Sequence, residues 1–376
     1  MPSRVRFAVL CLLVAGATGA SCLRGATWDG GGADNLWSNP LNWSGDAVPG
    51  PGEGLIFDST STKNCTIDIA LTFAGIEIKE GYTGTITQAP GVTITVGSSE
   101  WKQLGGTFAG SDGAISVNGA MTISGGAFNA PTGELSITGE LKLDGGSLNG
   151  GTGALTVAGP FTLTRGAYTA SGGSLAVFGE LKVEQQASFA RTGGSMTVVG
   201  LLTVIGSFEV DGNAQVQGNF GPVSGALDLT GSLLYFTGGQ DQMVDLGPNR
   251  VIGGIVVDKS GGTLTFANNG FDAGLLSISS GDRVRFQAGK TYWVEQIDWR
   301  GEAGQMIELR STSEGSAWGL AAATAQTVSL VDVKDSNAAL GASLTAFNSQ
   351  NGGNNSNWSF GTDVVKPAIS VVSPAG

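Results

Sequence analysis

Histidine is absent from the 376 residues of this sequence. Without imidazole, the chain cannot build a Ser-His-Asp or Cys-His catalytic centre or a histidine-ligated metal site. Charged residues are scarce at 13% of the chain, and 31 acidic side chains outnumber 19 basic ones. The net charge of −12 argues against nucleic acid as a partner, because phosphate binding needs an excess of Lys and Arg.

Long apolar runs are nearly absent as well. Residues 7–14 form one such run, which is too short to cross a bilayer as a helix. Arg4 and Arg6 precede it and the small residues 15–20 follow it, which is the pattern of an export signal. We therefore expect a signal peptide at residues 1–21, no further transmembrane segment, and a protein that is extracellular or on the outer cell surface.

Cysteine is rare, with only three residues. Cys11 lies within the expected signal peptide, and Cys22 follows it directly. The segment Gly19-Ala20-Ser21-Cys22 has the position of a lipoprotein box, so Cys22 is a lipidation candidate. The alternative is ordinary cleavage near Ala20, which leaves Cys22 free or paired with Cys65 in an oxidising compartment.

Glycine is abundant, with 63 residues, and much of it belongs to a 20-residue repeat over residues 101–200. The clearest copies begin Met121-Thr-Ile-Ser-Gly-Gly, Leu141-Lys-Leu-Asp-Gly-Gly, Phe161-Thr-Leu-Thr-Arg-Gly and Leu181-Lys-Val-Glu-Gln-Gln. Apolar and polar residues alternate over the first positions and small residues follow. This pattern predicts short strands with one buried face, joined by turns in which glycine supplies positive φ.

Units of this length fit the coils of an all-β solenoid, in which coils stack about 4.8 Å apart and like residues align. We predict a parallel β-helix over residues 70–361 with about 20-residue coils, about 14 of them. The coils are regular over residues 101–200 and looser over residues 201–361. One repeat position carries Phe108, Phe128, Leu148, Tyr168 and Phe189. We expect these side chains to line the interior, and the alternative is an outward track that stacks on sugar rings.

Residues 22–69 are rich in tryptophan instead. Trp28, Trp37 and Trp43 lie among glycine and proline turns. A solenoid needs a cap over its first coil, and we interpret this segment as that N-terminal cap. The functional alternative is a glycan-binding platform built from the three rings, since flat aromatic faces stack on sugars.

The stretch Trp28-Asp-Gly-Gly-Gly to Val48-Pro-Gly, followed by Gly-Gly-x-Phe and Gly-x-Leu-x-Val units, resembles a known group. Residues 26–361 are similar to exported bacterial β-strand-repeat surface proteins, which look like autotransporter passengers and filamentous-haemagglutinin-like β-helices. The resemblance implies a right-handed parallel β-helix at the surface of a bacterial cell. It supplies no catalytic residues.

Two features near the C-terminus suggest more specific roles. Asp332, Asp335 and Asn337 crowd together and offer hard oxygen ligands for Ca²⁺, although Asp and Asn also favour turns and ladders between coils. No other cofactor is predicted. We expect residues 362–376 to be a linker or the start of a truncated following domain, because a proline precedes alternating apolar residues.

Charges are scattered along the regular repeat. The looser part has the densest set, which consists of Asp298, Arg300, Glu302, Glu308 and Arg310. Since no paired carboxylates share one coil face, we predict no enzyme. The expected function is that of a non-catalytic secreted cell-surface β-helix, an adhesin or structural stalk, with a surface glycan or a host or neighbouring cell as partner. The alternative is a carbohydrate-binding module of an exported polysaccharide-processing system.

Overall fold

The computed structural model describes residues 25–362 of the chain, which are 55% strand and 1% helix. The expected signal peptide, Cys22 and the tail after residue 362 lie outside the described residues. The strands stack as parallel coils of about 21 residues and form a β-solenoid of about 14 turns. The predicted all-β solenoid is therefore confirmed.

The strands are short in the first part of the rod. They are β1 (Gly25–Thr27), β2 (Gly54–Phe57), β3 (Cys65–Ile67), β4 (Leu71–Phe73), β5 (Gly75–Ile78), β6 (Thr85–Gln88), β7 (Ile94–Val96), β8 (Trp101–Gln103), β9 (Thr107–Ala109), β10 (Ile115–Val117), β11 (Met121–Ile123), β12 (Ala127–Asn129) and β13 (Leu135–Ile137). One turn of 3-10 helix lies at Pro40–Asn42.

In the middle of the rod, several strands continue around a corner. The strands are β14 (Leu141–Gly151), β15 (Leu155–Val157), β16 (Phe161–Ala170), β17 (Ser174–Val177), β18 (Leu181–Val198), β19 (Leu202–Val204), β20 (Ser207–Val216), β21 (Phe220–Val223), β22 (Ala226–Phe236), β23 (Gln242–Val244) and β24 (Arg250–Val257).

The last part of the rod contains both short strands and longer strands that continue around a corner. Its strands are β25 (Leu264–Phe266), β26 (Phe271–Ile278), β27 (Arg283–Phe286), β28 (Thr291–Trp299), β29 (Ile307–Ser311), β30 (Trp318–Ala322), β31 (Gln326–Ser329), β32 (Val331–Val333), β33 (Ser336–Asn337), β34 (Leu344–Phe347), β35 (Gln350–Asn351) and β36 (Trp358–Gly361).

Each coil contributes to three parallel ladders, which form the three faces of the rod. Face 1 contains β8, β11, the start of β14 and, further on, β25, β27 and β29. Face 2 contains β9, β12 and, further on, the first parts of β24, β26 and β28 and then β30. Face 3 contains β10, β13 and β15 and, further on, the ends of β24, β26 and β28.

The strand register reproduces the sequence repeat. Met121 pairs with Leu141, which pairs with Phe161, and Phe161 pairs with Leu181. The next partner is Leu202, one residue later than the period predicts. Like side chains therefore align on successive coils, because the backbone of one coil bonds to that of the next.

The interior is a continuous apolar column. The predicted aromatic positions Phe108, Phe128, Leu148, Tyr168 and Phe189 are all buried. Phe108 stacks on Phe128, with 4.7 Å between the ring centres and an interplanar angle of 15°, and beyond Leu148 the rings of Tyr168 and Phe189 lie 4.8 Å apart. The prediction that they form the core is confirmed, and the outward sugar track is wrong.

The Trp-rich segment continues the ladders past the first full coil. β1 pairs with β2 on face 1, and Leu36 forms a parallel bridge to Thr66 of β3 on face 2. These pairings cover edges that would otherwise present unpaired backbone groups. The segment therefore occupies the position that a cap requires.

Candidate functional site

Trp28, Trp37 and Trp43 do not form a binding platform. Their side chains are at most 1% exposed, and the ring centres of Trp37 and Trp43 lie 4.5 Å apart. Trp28 also stacks on Phe57, and the Trp43 indole N–H donates to the backbone carbonyl of Trp37. No ring face is open to a sugar, so the platform hypothesis is wrong; burial of these large apolar surfaces stabilises the end of the rod instead.

The three residues expected to bind calcium each have a protein partner in this structure. The Asp332 carboxylate is paired with the Arg310 guanidinium, and Asp335 accepts from the Asn354 amide at 2.8 Å. Asn337 accepts from the backbone N–H of Ala339 at 3.0 Å. Protein donors therefore already occupy oxygens of all three side chains, and the calcium site stays a prediction.

Four of the five charge-dense residues of the looser coils form ion pairs within the set. Arg300 and Asp298 form an ion pair at 3.2 Å, and the Arg310 guanidinium lies 3.9 Å from the Glu308 carboxylate. Glu302 lies in a turn closed by backbone bonds to Gln305. These are mostly surface ion pairs of small energetic value.

The structure instead points to Trp293 on face 2. It is the one tryptophan of the eight whose side chain is largely exposed, at 49%. Its neighbours Tyr292 and Val294 are buried. Because successive side chains of a strand point to opposite sides, burial of these two neighbours turns the Trp293 ring outward.

A cleft of about 240 Å³ lies against this ring. Its floor and walls come from strands that are adjacent on face 2, since Val251 pairs with Asp272, Asp272 with Trp293, and Trp293 with Ala321. The cleft therefore runs across coils, parallel to the rod axis. Ala321 lies in register with Trp293 and lines the cleft, although it is itself only 1% exposed.

A second depression lies on the N-terminal side of the same strands. It measures about 350 Å³ and shares Asp272 and Trp293 with the cleft. Asn249, Asn269 and Lys290 line its outer part. Trp293 is thus a ridge between an apolar cleft and a polar depression.

Two carboxylates flank the ring without a protein partner. Asp272 lies one coil away from Trp293 in register, and Glu295 lies two residues further along β28. Both side chains are exposed and line the cleft. Within residues 25–362 neither carboxylate accepts a hydrogen bond or forms an ion pair, so both keep their full capacity to accept from a ligand.

This arrangement has the elements of a ligand site. A flat apolar ring supplies contact area, and a few polar groups beside it fix orientation. The site lies on four neighbouring strands of one ladder, β24, β26, β28 and β30, which holds the ring and both carboxylates in fixed relative positions. Hydroxyl or amine donors on a ring-shaped ligand would meet Asp272 and Glu295 while the ligand lies on Trp293.

The sequence contained one signal for this site. Thr291-Tyr-Trp-Val294 is rich in β-branched and aromatic residues, which is typical of a strand, and in a strand two neighbours that face the core leave the residue between them outside. The structure buries Tyr292 and leaves Trp293 exposed. Asp272 and Glu295 carried no such signal, because their proximity depends on the register between coils.

No protein family model, curated protein or solved structure matches this chain. The stacked parallel coils alone define the class of protein, which is the parallel β-solenoid. Within residues 25–362, no helix is both long enough and apolar enough to cross a membrane.

Proposed function

We propose that this chain is a non-catalytic β-solenoid of the cell exterior that binds a glycan at the Trp293 cleft. The carrying observation is an indole ring exposed on a rigid sheet face, beside a cleft with two unpaired carboxylates. The C–H face of a pyranose ring is apolar and flat, and its edge carries hydroxyl donors. A pyranose ring therefore complements both the indole ring and the two carboxylates of the site.

The rod supports this function mechanically. Its three ladders run through consecutive coils, so a load at one coil is shared by backbone hydrogen bonds to the next. A glycan-binding rod of this kind serves as an adhesin. The prediction of export and of attachment to a surface is based on the sequence of residues 1–22.

The first test is retention of the protein by insoluble and soluble glycans, with Trp293→Ala as the key variant. We expect the variant to bind at least about tenfold more weakly, because truncating a tryptophan at the centre of a site removes most of its contact area. Its thermal midpoint should not fall, since the ring lies outside the core.

Met243→Ala is the matched control, because Met243 is an equally exposed apolar side chain on face 1. It should bind as the wild type does. Equal retention of wild type and Trp293→Ala, or no retention by any glycan, would contradict the binding function and leave a structural stalk. Release of reducing ends from a bound glycan would overturn the non-catalytic part.

A further inference from the structure

We propose that the glycan bound at Trp293 is an amino-sugar polymer with protonated amines, extended along face 2 across successive coils. This inference rests on the proposed function and specifies its ligand. It is carried by the charge of the cleft and by the register of the strands around it.

The first argument is the charge beside the ring. Asp272 and Glu295 both line the cleft, and neither is neutralised by a cation of the described residues. An ammonium group that approaches the face of a tryptophan is attracted by the ring quadrupole as well as by the carboxylates. A uronate or sulfate at the same place would meet two like charges.

The second argument is an acidic column that leads to the site. Glu209 pairs with Asp228 on face 2, and the pairing of Leu229 with Ile252 sets Asp228 beside Val251. Val251 in turn pairs with Asp272. Glu209, Asp228 and Asp272 are all exposed, so three carboxylates stand in one column before Trp293.

The column fixes the direction and length of the ligand. Four coil steps separate Glu209 from Trp293, which is about 19 Å along the rod. This distance exceeds one sugar ring and suits a chain with regularly spaced amines. Val251, whose side chain is 58% exposed, adds an apolar contact between Asp228 and Asp272.

One cation lies close to the path. Lys290 is exposed and lines the polar depression on the other side of Trp293, together with Asn249 and Asn269. It lines that depression and not the cleft that holds Glu295. A polymer that follows the column and the cleft therefore passes beside Lys290, and removal of this charge should strengthen the binding of amines.

The test compares three sets of oligomers on the full chain by calorimetry: β-1,4-linked glucosamine, the same oligomers after N-acetylation, and oligogalacturonate. The pH is mildly acidic, where amines are protonated and ordinary carboxylates remain ionised. We expect the glucosamine oligomers to bind at least about tenfold more tightly than the acetylated ones, with strong weakening by salt. Oligogalacturonate should bind most weakly.

Three variants localise the effect. Asp272→Asn and Glu295→Gln should each weaken glucosamine binding several-fold and leave the acetylated oligomers unchanged. Glu209→Gln should weaken only oligomers long enough to span the column. Glu140→Gln, which removes an exposed carboxylate from a distant coil, is the matched control and should have no effect.

The outcomes separate the two proposals. Equal affinity for amine and acetylated oligomers, both lost in Trp293→Ala, would overturn the amino-sugar inference and keep the glycan site. Tighter binding of oligogalacturonate, or amine binding that Asp272→Asn and Glu295→Gln leave unchanged, would also overturn the inference. Absence of binding by all three sets would contradict the inference, and failure of a wider glycan set would contradict the proposed function itself.

Discussion

Trp293 and Trp299 lie on the same strand, six residues apart, yet one is exposed and the other is fully buried. Tyr292 and Val294 point inward at the start of β28, whereas Ile297 and Trp299 point inward at its end. The strand passes from face 2 to face 3 between these pairs, and the corner changes which positions face the core. A single tryptophan is thereby left outside.

Asp282 shows how burial changes the chemistry of one side chain. It is only 4% exposed, and burial raises the pKa of its carboxyl to about 6, against the opposing effect of the Lys259 backbone N–H. The negative charge of Asp258 raises this pKa further, and the Lys259 ammonium lowers it. The same desolvation lowers the pKa of Lys259.

This shift predicts a pH dependence of stability with a definite sign. The folded pKa lies above the unfolded value, so the protonated carboxyl is favoured in the folded state. Its stabilising contribution is complete below the unfolded pKa of 3.8 and is lost as the pH rises through about 6. We expect the free energy of unfolding of the wild type, relative to that of Asp282→Asn, to rise by about 1–3 kcal/mol as the pH falls from about 6 to about 4. The thermal midpoint of the wild type should rise relative to that of the variant over the same interval.

Asp258→Asn provides the control for this prediction. Removing the neighbouring charge should lower the pKa of Asp282 and move the transition to lower pH. A wild-type midpoint that falls relative to Asp282→Asn over the same interval would contradict the assignment.

At the scale of the coil, glycine is required where two coils approach closely. Gly173 has φ +64°, and a Cβ at this position would lie 2.0 Å from the carbonyl oxygen of Gly153 on the preceding coil. Gly151 has a similar φ of +57°, but a Cβ there would meet no atom within 4 Å. The two positions share a backbone conformation and differ in the space around it.

This pair gives a matched prediction for coil stacking. Gly151→Ala should cost about 1–2 kcal/mol, which is the strain of a left-handed backbone in an L-residue. Gly173→Ala should cost clearly more, because the methyl group also forces two coils apart. Thermal or denaturant unfolding of the two variants measures the difference, and equal losses would show that the contact between coils is unimportant.

Much of the element pattern was predictable from the sequence. The alternation in Met121-Thr-Ile123 and its 20-residue echo at Leu141 predicted both the strand and its partner. The site was less predictable, because Glu209, Asp228 and Asp272 recur at unequal spacing in coils of different length. A fixed period therefore cannot align them.

The rod as a whole is held by neighbour contacts, since each coil bonds only to the coils before and after it. The Trp-rich segment closes one end through the rings of Trp28, Trp37 and Trp43, which pack around Phe57. Stability should then vary along the axis, and damage to this end should remain local.

Hydrogen exchange of Trp43→Ala tests this expectation. Loss of the ring should cost about 3–5 kcal/mol locally, through a cavity beside Trp37 and Phe57. We expect faster exchange of amides in β2 and β3 and unchanged exchange in β20, β22 and β24. Trp293→Ala, whose ring lies outside the core, should leave both regions unchanged, and acceleration along the whole rod would contradict nearest-neighbour coupling.

The sequence by itself determined the solenoid, its coil length and its aromatic interior, because strand alternation and the repeat are local patterns that recur at a constant distance. Only the tertiary structure decided which tryptophans are buried and which carboxylates stand together. The corners between faces have unequal lengths, so they reset the inward positions and the partners of each strand. Trp293 is therefore left outside beside Asp272 and Glu295, whereas Trp28, Trp37 and Trp43 are buried against one another and Phe57 at the end of the rod.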